Sequence, residues 1–308
     1  MRVLVTGGAG FIGSHVVDSL IERGDEVMVV DNLSTGFKEN LNPAARLYQL
    51  SIGDDELAEV FKRERPDVVS HHAAQMNLRR SVAEPVFDAQ ENILGSLNVI
   101  LNSVRFGVKK FVYASSGGAV YGEAQYLPVD EEHPINPVSQ YGVSKHTVEH
   151  YLYLYAHQDA LNYVVLRYPN VYGPRQNPYG EAGVIAIFAR QMLRQERPTI
   201  FGRGDKTRDY THISDVVEAN LLAMERGQNA IYNIGTGIET SVKQIFDLLA
   251  QALGYQGSPV YTPAREGEVD RMCLAWDKAQ KELGWSPKLS LEEGIRRTIE
   301  YYKAQESG

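Results

Sequence analysis

Tyr141 and Lys145 are the residues of this chain whose types and spacing most directly suggest chemistry. They lie in the segment SQYGVSK (139–145), four positions apart, which places both on one face of a helix, one turn apart. A free tyrosine has a pKa of about 10 and is a poor base at neutral pH. An ammonium one turn away favours the phenolate and makes it useful for proton transfer. Two polar residues on a solvated helix face would have the same spacing, so the surrounding elements must decide.

A dinucleotide-binding pattern occupies the N-terminus. Residues 2–5 (RVLV) predict a short buried strand, and glycines at 7, 8 and 10 predict a tight turn after it. Gly10 lets the backbone approach a pyrophosphate, and Gly13 lets the helix at 14–23 pack closely on the strand. The N-terminus of that helix directs its free N–H groups at the phosphates. A second strand at 26–30 with an acid after it completes the order of a dinucleotide site.

Asp31 is that acid, and it also selects the cofactor. It follows the glycines by roughly 20 residues, where a carboxylate accepts hydrogen bonds from the ribose hydroxyls. A carboxylate in this place repels a 2′-phosphate, and the next residue is Asn32 rather than an arginine. The sequence therefore predicts NAD rather than NADP.

Composition argues against several classes of function. The chain has 308 residues, 43% of them hydrophobic, which is enough for a large folded core. A net charge of −8 without long Lys/Arg runs argues against a nucleic-acid partner. No apolar stretch approaches the ~20 residues of a membrane span. The chain enters a strand at once, without a signal peptide, and its one cysteine, Cys273, has no His or Cys neighbours for a metal site. We expect a cytoplasmic protein that binds no metal.

Strand and helix patterns alternate up to about residue 170, which predicts βαβ units and a parallel sheet. Further strands are predicted at 46–50, 67–71, 109–115 and 163–167, and further helices at 56–65, 82–106 and 138–157. The segment 170–183, rich in Gly, Pro, Asn and Tyr, predicts a long irregular loop. Beyond it, helices are predicted at 184–195, 213–226, 241–253 and 291–303, and strands at 199–201 and 230–233.

These patterns predict an α/β fold, with a Rossmann-type doubly wound parallel sheet and a smaller mixed α/β C-terminal substrate region. We expect residues 1–170 to form the NAD-binding domain, with parts of 202–240 returning to it, and residues 171–308 to form the substrate region. The two should share a cleft at the carboxyl ends of the parallel strands.

Nine motifs carry a resemblance that covers essentially the whole chain. They are TGGAGFIG (6–13), DNLSTG (31–36), HHAAQ (71–75), SSGGAVYGE (115–123), YGVSK (141–145), LRYPNVYGPRQNPYGEAGV (166–184), GRGDKTRDYTHISDV (202–216), YNIGTG (232–237) and REGEV (265–269). With them the chain resembles the extended short-chain dehydrogenase/reductase family, and within it the UDP-glucose 4-epimerases, also called UDP-galactose 4-epimerases. The glycine motif and the Tyr-Lys pair are typical of the superfamily, and the later motifs of its nucleotide-sugar branch.

The resemblance implies an NAD-dependent isomerase of galactose metabolism. It would epimerise C4 of a UDP-hexose through a transient 4-keto sugar and so interconvert UDP-glucose and UDP-galactose. The catalytic residues would be Tyr141, Lys145 and Ser116. The implied cofactor-binding residues are Gly7, Gly10, Phe11, Ile12, Gly13, Asp31, Asn32, Ser34, Thr35, Gly36, Ser51, Ile52, His72, Ala73, Ala74, Met76, Asn92, Ser115, Tyr141, Lys145, Tyr168 and Pro169.

The resemblance also implies a site for the UDP-sugar. Arg208 and Arg265 would clamp the two phosphates with their planar guanidinium groups. Met272 would lie on the cleft wall that faces the C2 substituent of the sugar. The full implied set of substrate-binding residues is Ser116, Tyr141, Asn170, Val184, Thr199, Phe201, Arg208, Tyr210, Arg265, Glu268 and Met272.

The chain departs from the family pattern at three positions. Ser51 stands where the family often has an aspartate that bonds the adenine, and Glu268 replaces a more usual aspartate. The Ser/Thr partner of the catalytic tyrosine is harder to assign. Counting back from the VYG motif (120–122) leads to Gly117, which has no hydroxyl, whereas counting back from Tyr141 leads to Ser116, with Ser115 as the alternative.

Other functions remain open from the sequence. The substrate is alternatively a UDP-N-acetylglucosamine or UDP-glucuronate, and another nucleotide-sugar oxidoreductase or dehydratase is a further alternative. A dehydratase usually has an acid/base pair where Gly117 and Gly118 stand, which disfavours that reaction. A non-catalytic NAD-sensing module would not need Tyr141 and Lys145.

The family usually forms homodimers through a four-helix bundle, which here would use the helices at 82–106 and 138–157. The second helix carries Val148, Leu152 and Tyr155 near one side, which suits a packed interface.

Overall fold

The computed structural model describes residues 1–159, 161–179, 183–264 and 269–306. The strands are β1 (Arg2–Thr6), β2 (Glu26–Val30), β3 (Arg46–Tyr48), β4 (Val68–His71), β5 (Lys110–Ser116), β6 (Asn162–Tyr168), β7 (Asn170–Tyr172), β8 (Thr199–Phe201), β9 (Thr207–Arg208), β10 (Tyr210–His212), β11 (Ala230–Asn233), β12 (Thr240–Ser241) and β13 (Val260–Thr262). The α-helices are α1 (Phe11–Glu22), α2 (Leu57–Glu64), α3 (Leu78–Ala83), α4 (Pro85–Ala89), α5 (Gly95–Arg105), α6 (Gly117–Val120), α7 (Gln140–Asp159), α8 (Val184–Leu193), α9 (Ile213–Glu225), α10 (Val242–Leu253), α11 (Asp277–Leu283) and α12 (Leu291–Glu306).

A seven-stranded sheet in the order β11-β6-β5-β4-β1-β2-β3 forms the centre of the fold. All its neighbouring strands run parallel. The strand order reverses between β1 and β4, which is where such sheets bind ligands. This confirms the predicted doubly wound parallel sheet. The chain returns to the sheet with β11, which pairs with β6 after the intervening C-terminal elements.

Both faces of the central sheet are buried, which explains why its strands read as continuous apolar runs. One face packs with α1 and α9, and this core includes Val16, Leu20, Val216 and Trp285. The other face packs with α2, α5 and α7. A separate core joins α8, α10 and α12 in the C-terminal region. The sheet is therefore held rigidly between two layers of helices, with its strand ends left to form a site.

The helix predicted at 82–106 is interrupted in the structure. The chain forms α3 and then starts again at α4, because Glu84 leaves the helical region with φ −128° and ψ 64°. Glu84 precedes Pro85, and the proline ring disfavours helical backbone at the residue before it. A π-helical turn, Gln90–Leu94, then joins α4 to α5. Such turns often occur at functional sites.

Two more predictions need correction. The segment 170–183 is not irregular throughout, because it begins with β7, which pairs with β10. The interface residues proposed on α7 face the wrong way, since Val148 and Leu152 are fully buried against the central sheet and Tyr155 packs at the edge of the same core. The exposed apolar residues of α7 are instead Val143, Tyr153 and Leu154.

Several short elements of the C-terminal half were not predicted. They are β9, β10, β12, β13 and α11, and the strands among them pair in two-stranded ladders. Strands of two or three residues are too short to show a periodic pattern. Among the described residues, no helix combines the length and the apolar character needed to cross a bilayer.

Candidate active site

The carboxyl ends of the central strands bring the candidate site residues to one edge of the sheet. Thr6, at the end of β1, pairs with Val30 of β2 and with His71 of β4. Ser116, at the end of β5, pairs with Tyr168 of β6. The loops that leave these strands contain the glycine turn, Asp31, the HHAAQ motif and Asn170. Segments far apart in sequence therefore meet at the point where the strand order reverses.

Side chains at two positions of the glycine turn would clash with neighbouring backbone atoms. Gly7 has φ +68°, and a Cβ on it would lie 2.6 Å from the backbone nitrogen of Ala73. A Cβ on Gly13 would lie 2.2 Å from the carbonyl oxygen of Gly7. Helix α1 begins at Phe11, earlier than predicted, and its N-cap Gly10 provides no side-chain cap. The first N–H groups of α1 are therefore free to bind an anion at a positive helix end.

Asp31 lies at the end of β2, where the sequence predicts the ribose contact. Its two carboxylate oxygens accept hydrogen bonds from the backbone N–H groups of Ala9, at 2.9 Å, and Leu33, at 2.8 Å. A carboxylate has about four acceptor positions, so both oxygens retain capacity for ribose hydroxyls. Gly36 packs close to Ala9, where a Cβ would lie 2.9 Å from the Ala9 carbonyl carbon. Asn32, Ser34 and Thr35 lie beside it.

Tyr141 lies in the first turn of α7 and is hydrogen-bonded to the side chain of Ser116. Burial raises the pKa of Tyr141 well above its usual value, and the negative charge of Asp88 raises it further, while the hydrogen bond from Ser116 opposes both effects. The sequence predicts that Lys145 lowers this pKa. The structure corrects that expectation, because burial raises the pKa of Tyr141 and leaves the phenol protonated at neutral pH.

Ser115 and Ser116 have different partners. The Ser115 hydroxyl donates to Glu149 Oε1 at 2.6 Å on the other side of β5, whereas Ser116 is next to Tyr141. Gly117, the remaining candidate position, has no hydroxyl, and a Cβ there would lie 2.5 Å from Leu274 Cδ1, so a side chain would require that leucine to move. The geometry therefore favours Ser116 as the hydroxyl partner of Tyr141.

Lys145 lies one turn after Tyr141 and is buried beside β5. Its ammonium donates to the Ala114 carbonyl oxygen at 2.9 Å and lies 4.9 Å from the ring centre of Tyr113 and 5.8 Å from that of Tyr141. Burial lowers the pKa of Lys145 to about 8, while the charges of Asp88 and Glu149 oppose that shift. Lys145 therefore remains largely protonated at neutral pH and presents a cation at the reacting edge.

Comparison with known proteins agrees with this geometry. Residues 3–235 match the model of the NAD dependent epimerase/dehydratase family. The chain belongs to this family. It is 50% identical over 301 residues to a putative UDP-glucose 4-epimerase of Methanocaldococcus jannaschii, with 98% of each chain covered.

Two solved relatives have the same fold over nearly their full length. The UDP-glucose 4-epimerase of Thermotoga maritima, solved with UDP-glucose, has 53% identity and a TM-score of 0.98, with 99% of each chain covered. The UDP-glucose 4-epimerase of Thermus thermophilus, solved with NAD, has 43% identity and a TM-score of 0.94, with 98% of this chain and 99% of that chain covered. The resemblance that the motifs predict is thereby confirmed.

The residues of this epimerase/dehydratase chain suit the NAD that gives the family its name. Besides the glycine turn and Asp31, the buried Nδ1 of His72 has no hydrogen-bond partner, whereas its Nε2 bonds to Ser70 at 2.9 Å. An unpartnered buried polar atom in the loop after β4 fits a position where a bound ligand supplies the missing hydrogen bond. Ala73 and Ala74 continue this loop, Met76 beyond them is exposed, and the buried Tyr168 leads into Pro169 at the end of β6.

Ile52, predicted to bind the cofactor, is buried and packs against Gly95, where a Cβ would lie 2.8 Å from Ile52 Cδ1. Ser51 next to it is partly buried. The sequence predicts that Asn92 binds the cofactor, but in the structure its side chain already has several hydrogen-bond partners. Its side-chain amide bonds to the backbone of Gln75 at 2.8 and 2.9 Å and to Asp88 at 2.9 Å. A contact between Asn92 and the cofactor phosphates would require some of these bonds to open.

The residues predicted to bind the substrate lie mainly on shorter elements. Asn170, Thr199, Arg208 and Val184 are partly buried, Tyr210 and Met272 are buried, and the side chain of Phe201 is 38% exposed. Arg208 Nη1 donates to the carbonyl oxygen of the neighbouring Thr207 at 2.8 Å. Met272 packs with Val120, Tyr121 and Leu274 behind α6. Two predicted residues, Arg265 and Glu268, lie outside the described residues.

Sequence reasoning missed a buried ion pair behind the site. Arg167 Nη2 lies 2.6 Å from Glu149 Oε2 and its Nε lies 3.0 Å from Glu149 Oε1, with both side chains almost fully buried. The signal was available, because Glu149 is one turn after Lys145 and Arg167 interrupts an apolar strand. Asp88 was missed as well. It lies one turn before Asn92, in a stretch otherwise read as apolar.

Proposed function

We propose that this protein is a UDP-glucose 4-epimerase, which interconverts UDP-glucose and UDP-galactose with NAD as its cofactor. The observation that carries the proposal is that Tyr141 and the side chain of Ser116 interact at the carboxyl end of the sheet, with the ammonium of Lys145 one turn away. The UDP-glucose and the NAD of the two solved relatives support the choice of substrate and cofactor.

In this reaction, Tyr141 Oη accepts the proton from O4 of the hexose and later returns it. Ser116 Oγ holds a hydrogen bond to O4 in both orientations of the sugar ring. The hydride leaves C4, the 4-keto sugar turns over while UDP stays bound, and the hydride returns to the opposite face. Bound NAD⁺ supplies the hydride acceptor and a positively charged ring.

The phenolate of Tyr141 needs substantial stabilisation. Lowering a tyrosine pKa from about 10 to about 7 takes roughly 4 kcal/mol, and burial makes the starting value higher still. Among the chain's own groups, the hydrogen bond from Ser116 acts directly on the phenol, and Lys145 supplies a cation 5.8 Å from its ring centre. Lys145 also has further N–H groups besides the one that bonds Ala114, and these suit the hydroxyls of a nicotinamide ribose.

The substrate diphosphate and nucleoside are assigned to the C-terminal elements. Asn170 and Arg208 contact the diphosphate, Thr199 and Phe201 border the uracil, and Val184, Tyr210 and Met272 line the remaining walls. Arg265 and Glu268, which the family resemblance assigns to the phosphate and the uridine ribose, lie outside the described residues. A guanidinium matches two phosphate oxygens at once, so UDP can remain bound while the sugar turns.

A dehydratase is the less favoured function. Elimination of water from the 4-keto sugar needs an acid and a base beside the ring, and the two positions after Ser116 are glycines. At Gly117 a Cβ would lie 2.5 Å from Leu274 Cδ1, so a carboxylate side chain there would require that leucine to move. At Gly118 a Cβ would lie 3.9 Å from Asn170 Oδ1, so the chain leaves this position open beside the proposed sugar site.

The deciding experiment is a side-by-side assay of the purified protein on UDP-galactose, UDP-N-acetylgalactosamine and UDP-galacturonate, with NAD content measured first. We expect bound NAD(H) and turnover of UDP-galactose to UDP-glucose without net consumption of NAD. Turnover restricted to the N-acetylated or the uronate substrate would replace the proposed substrate, and release of water would replace the reaction. Bound NAD(H) without turnover of any of the three would favour a sensing module.

We propose further that the protein is a cytoplasmic homodimer. Val82, Val86 and Leu94 expose more than half of their surfaces on the helices before α5, as does Tyr153 on α7, and these residues suit a four-helix bundle. Sedimentation at micromolar concentration should give a dimer mass. Val86→Glu should shift it toward the monomer, and a monomeric wild-type protein would overturn the proposal.

The single buried cysteine suits a reducing compartment.

A further inference from the structure

Asp88 is a fully buried carboxylate with three uncharged hydrogen-bond donors. Its Oδ1 accepts from Gln75 Nε2 at 3.0 Å and from Asn92 Nδ2 at 2.9 Å, and its Oδ2 accepts from Ser144 Oγ at 2.6 Å. Three donors suit an ionised carboxylate, which only accepts hydrogen bonds. Glu149, the other buried acid near the site, is neutralised by Arg167 instead.

The hydrogen bonds of Asp88 connect three parts of the site. Gln75 belongs to the loop after β4, Asn92 belongs to the π-helical turn after α4, and Ser144 lies on α7 between Tyr141 and Lys145. Gln75 and Asn92 are also bonded directly to each other through the Gln75 backbone. Asp88 therefore links the catalytic turn of α7 to the loop that contains His72.

The charge of Asp88 acts on the groups that would hold and move protons. It raises the pKa of Tyr141, after burial, and it opposes the lowering of the pKa of Lys145 by burial. The other ionisable groups facing this interior are Glu149 on α7, Tyr113 on β5, and His71 and His72 at and after the end of β4. Glu149 is paired with Arg167, and burial keeps both histidines neutral by lowering their pKa values. Asp88 therefore acts on both Tyr141 and Lys145 as a buried charge that no cation neutralises among its hydrogen-bond donors.

We propose that Asp88 is a positioning residue that fixes the Tyr141–Lys145 turn of α7 against the loop after β4 and places a negative charge near these two side chains. The structural part stands on the hydrogen bonds alone. The kinetic consequence rests on the proposed epimerase function.

The first test measures Lys145 without any turnover. In protein labelled with ¹³C at the lysine Cε, Lys145 should titrate near its pKa of about 8, apart from lysines near the usual value of about 10.4, and Lys145→Met assigns the signal. Asp88→Asn should lower this titration by about one pH unit or more, the usual scale for a nearby charge. Ser144→Ala removes one hydrogen bond and keeps the charge, so Lys145 should titrate as in the wild type.

The second test is the pH dependence of kcat on UDP-galactose. Removing the negative charge of Asp88 should lower the pKa of the Tyr141 phenol and of the Lys145 ammonium. The two limbs of the pH profile that these groups set should therefore both move to lower pH in Asp88→Asn. A residue with a merely structural role would lower kcat at all pH values and leave the limbs in place. Ser144→Ala should lower kcat with unmoved limbs, because it loosens the turn and keeps the charge.

The outcomes separate this proposal from the proposed function. A wild-type protein that does not turn over UDP-sugars refutes the epimerase, while the Lys145 titration still tests Asp88. An unchanged Lys145 titration in a folded Asp88→Asn protein overturns the proposal for Asp88. Asp88→Ser, equally neutral and smaller, is measured in the same way if the asparagine variant does not fold, and it should give the same shift.

Discussion

The cofactor side and the substrate side of the site are built in different ways. On the cofactor side, Asp31 and Lys145 are buried, and each is bonded to backbone, Asp31 to the glycine turn and Lys145 to strand β5. On the substrate side, Phe201 is 38% exposed, and Arg208 bonds to the carbonyl of its own neighbour. The chemical groups thus lie at the end of the central sheet and on the helix α7 packed against it, whereas the groups assigned to the sugar nucleotide lie on short peripheral elements.

This difference follows from what burial demands of polar groups. Most buried polar groups have hydrogen-bond partners, and a partnered group is held in one geometry. A group at the edge can be solvated by water until a ligand replaces that water. We therefore expect substitutions on the cofactor side to affect kcat or folding, and substitutions on the substrate side to affect mainly KM.

The largest expected effect is that of Tyr141→Phe. It removes the proton acceptor and leaves the ring in place, so kcat should fall about 10²- to 10⁴-fold, the usual scale for a general acid/base. Steady-state kinetics on UDP-galactose measures this loss, and fluorescence titration should show that NAD still binds. A variant with near-normal turnover would exclude Tyr141 as the proton acceptor.

The buried ion pair behind the site should contribute strongly to stability. Arg167→Met leaves Glu149 as a buried charge without its cation, and breaking such a pair costs about 3–5 kcal/mol. The urea midpoint should fall accordingly. The matched control is Arg296→Met, which removes an exposed partner of Glu293 on α12 and should hardly change the midpoint. Equal effects of the two substitutions would contradict the expected difference between a buried and an exposed ion pair.

The same pair should make stability depend on pH. Burial raises the pKa of Glu149, but hydrogen bonds from His146, Arg167 and Ser115 outweigh it and bring the value to about 2, below the usual 4.5. Because the folded-state pKa is depressed, this stabilisation is present above about pH 4.5 and is lost as the pH falls toward 2. Curves of stability against pH for the wild type and Arg167→Met should converge on acidification.

Ser116→Ala should lower kcat about 100-fold, the scale for losing one preorganised donor to a developing negative charge. Ser115→Ala is the matched control on the opposite side of the same strand. It removes one bond to Glu149, which keeps Arg167, and kcat should stay within a small factor of the wild type. A large fall in kcat for Ser115→Ala and none for Ser116→Ala would make Ser115 the hydroxyl partner of Tyr141. No effect in either variant would mean that the tyrosine partner is not a serine.

The smallest expected effect is that of Arg208→Ala. Loss of a charge-assisted bond of about 1.5 kcal/mol to the diphosphate should raise KM about 10-fold and leave kcat nearly unchanged. Arg208→Lys should recover only part of the affinity, because an ammonium lacks the planar fork. Arg203→Ala in the same segment is the control and should change neither constant, since that side chain is 90% exposed and pairs with Asp205. A large fall in kcat for Arg208→Ala would remove the distinction between the two sides.

Features that depend on local spacing could be predicted from the residues alone. Glycine spacing, helix periodicity and the acid after the second strand predict the sheet and the NAD site, because each is a property of a short segment. The Tyr141–Lys145 spacing likewise predicts a shared helix face. The long motifs predict the family. Boundaries were less secure, as the interruption before Pro85 and the early start of α1 at Phe11 demonstrate.

Which side chains face each other depends on the packing of distant segments. Successive strand residues point to opposite faces, and the sequence does not tell which of Ser115 and Ser116 faces Tyr141. The glycine at 117 lies beside Leu274, which is distant in sequence and whose side chain a Cβ at 117 would meet. Val148 and Leu152 are apolar enough for either a core or an interface, and packing places them in the core. Asp88 meets Ser144 only because two helices pack together. Such contacts join residues far apart in the chain, so no local pattern contains them.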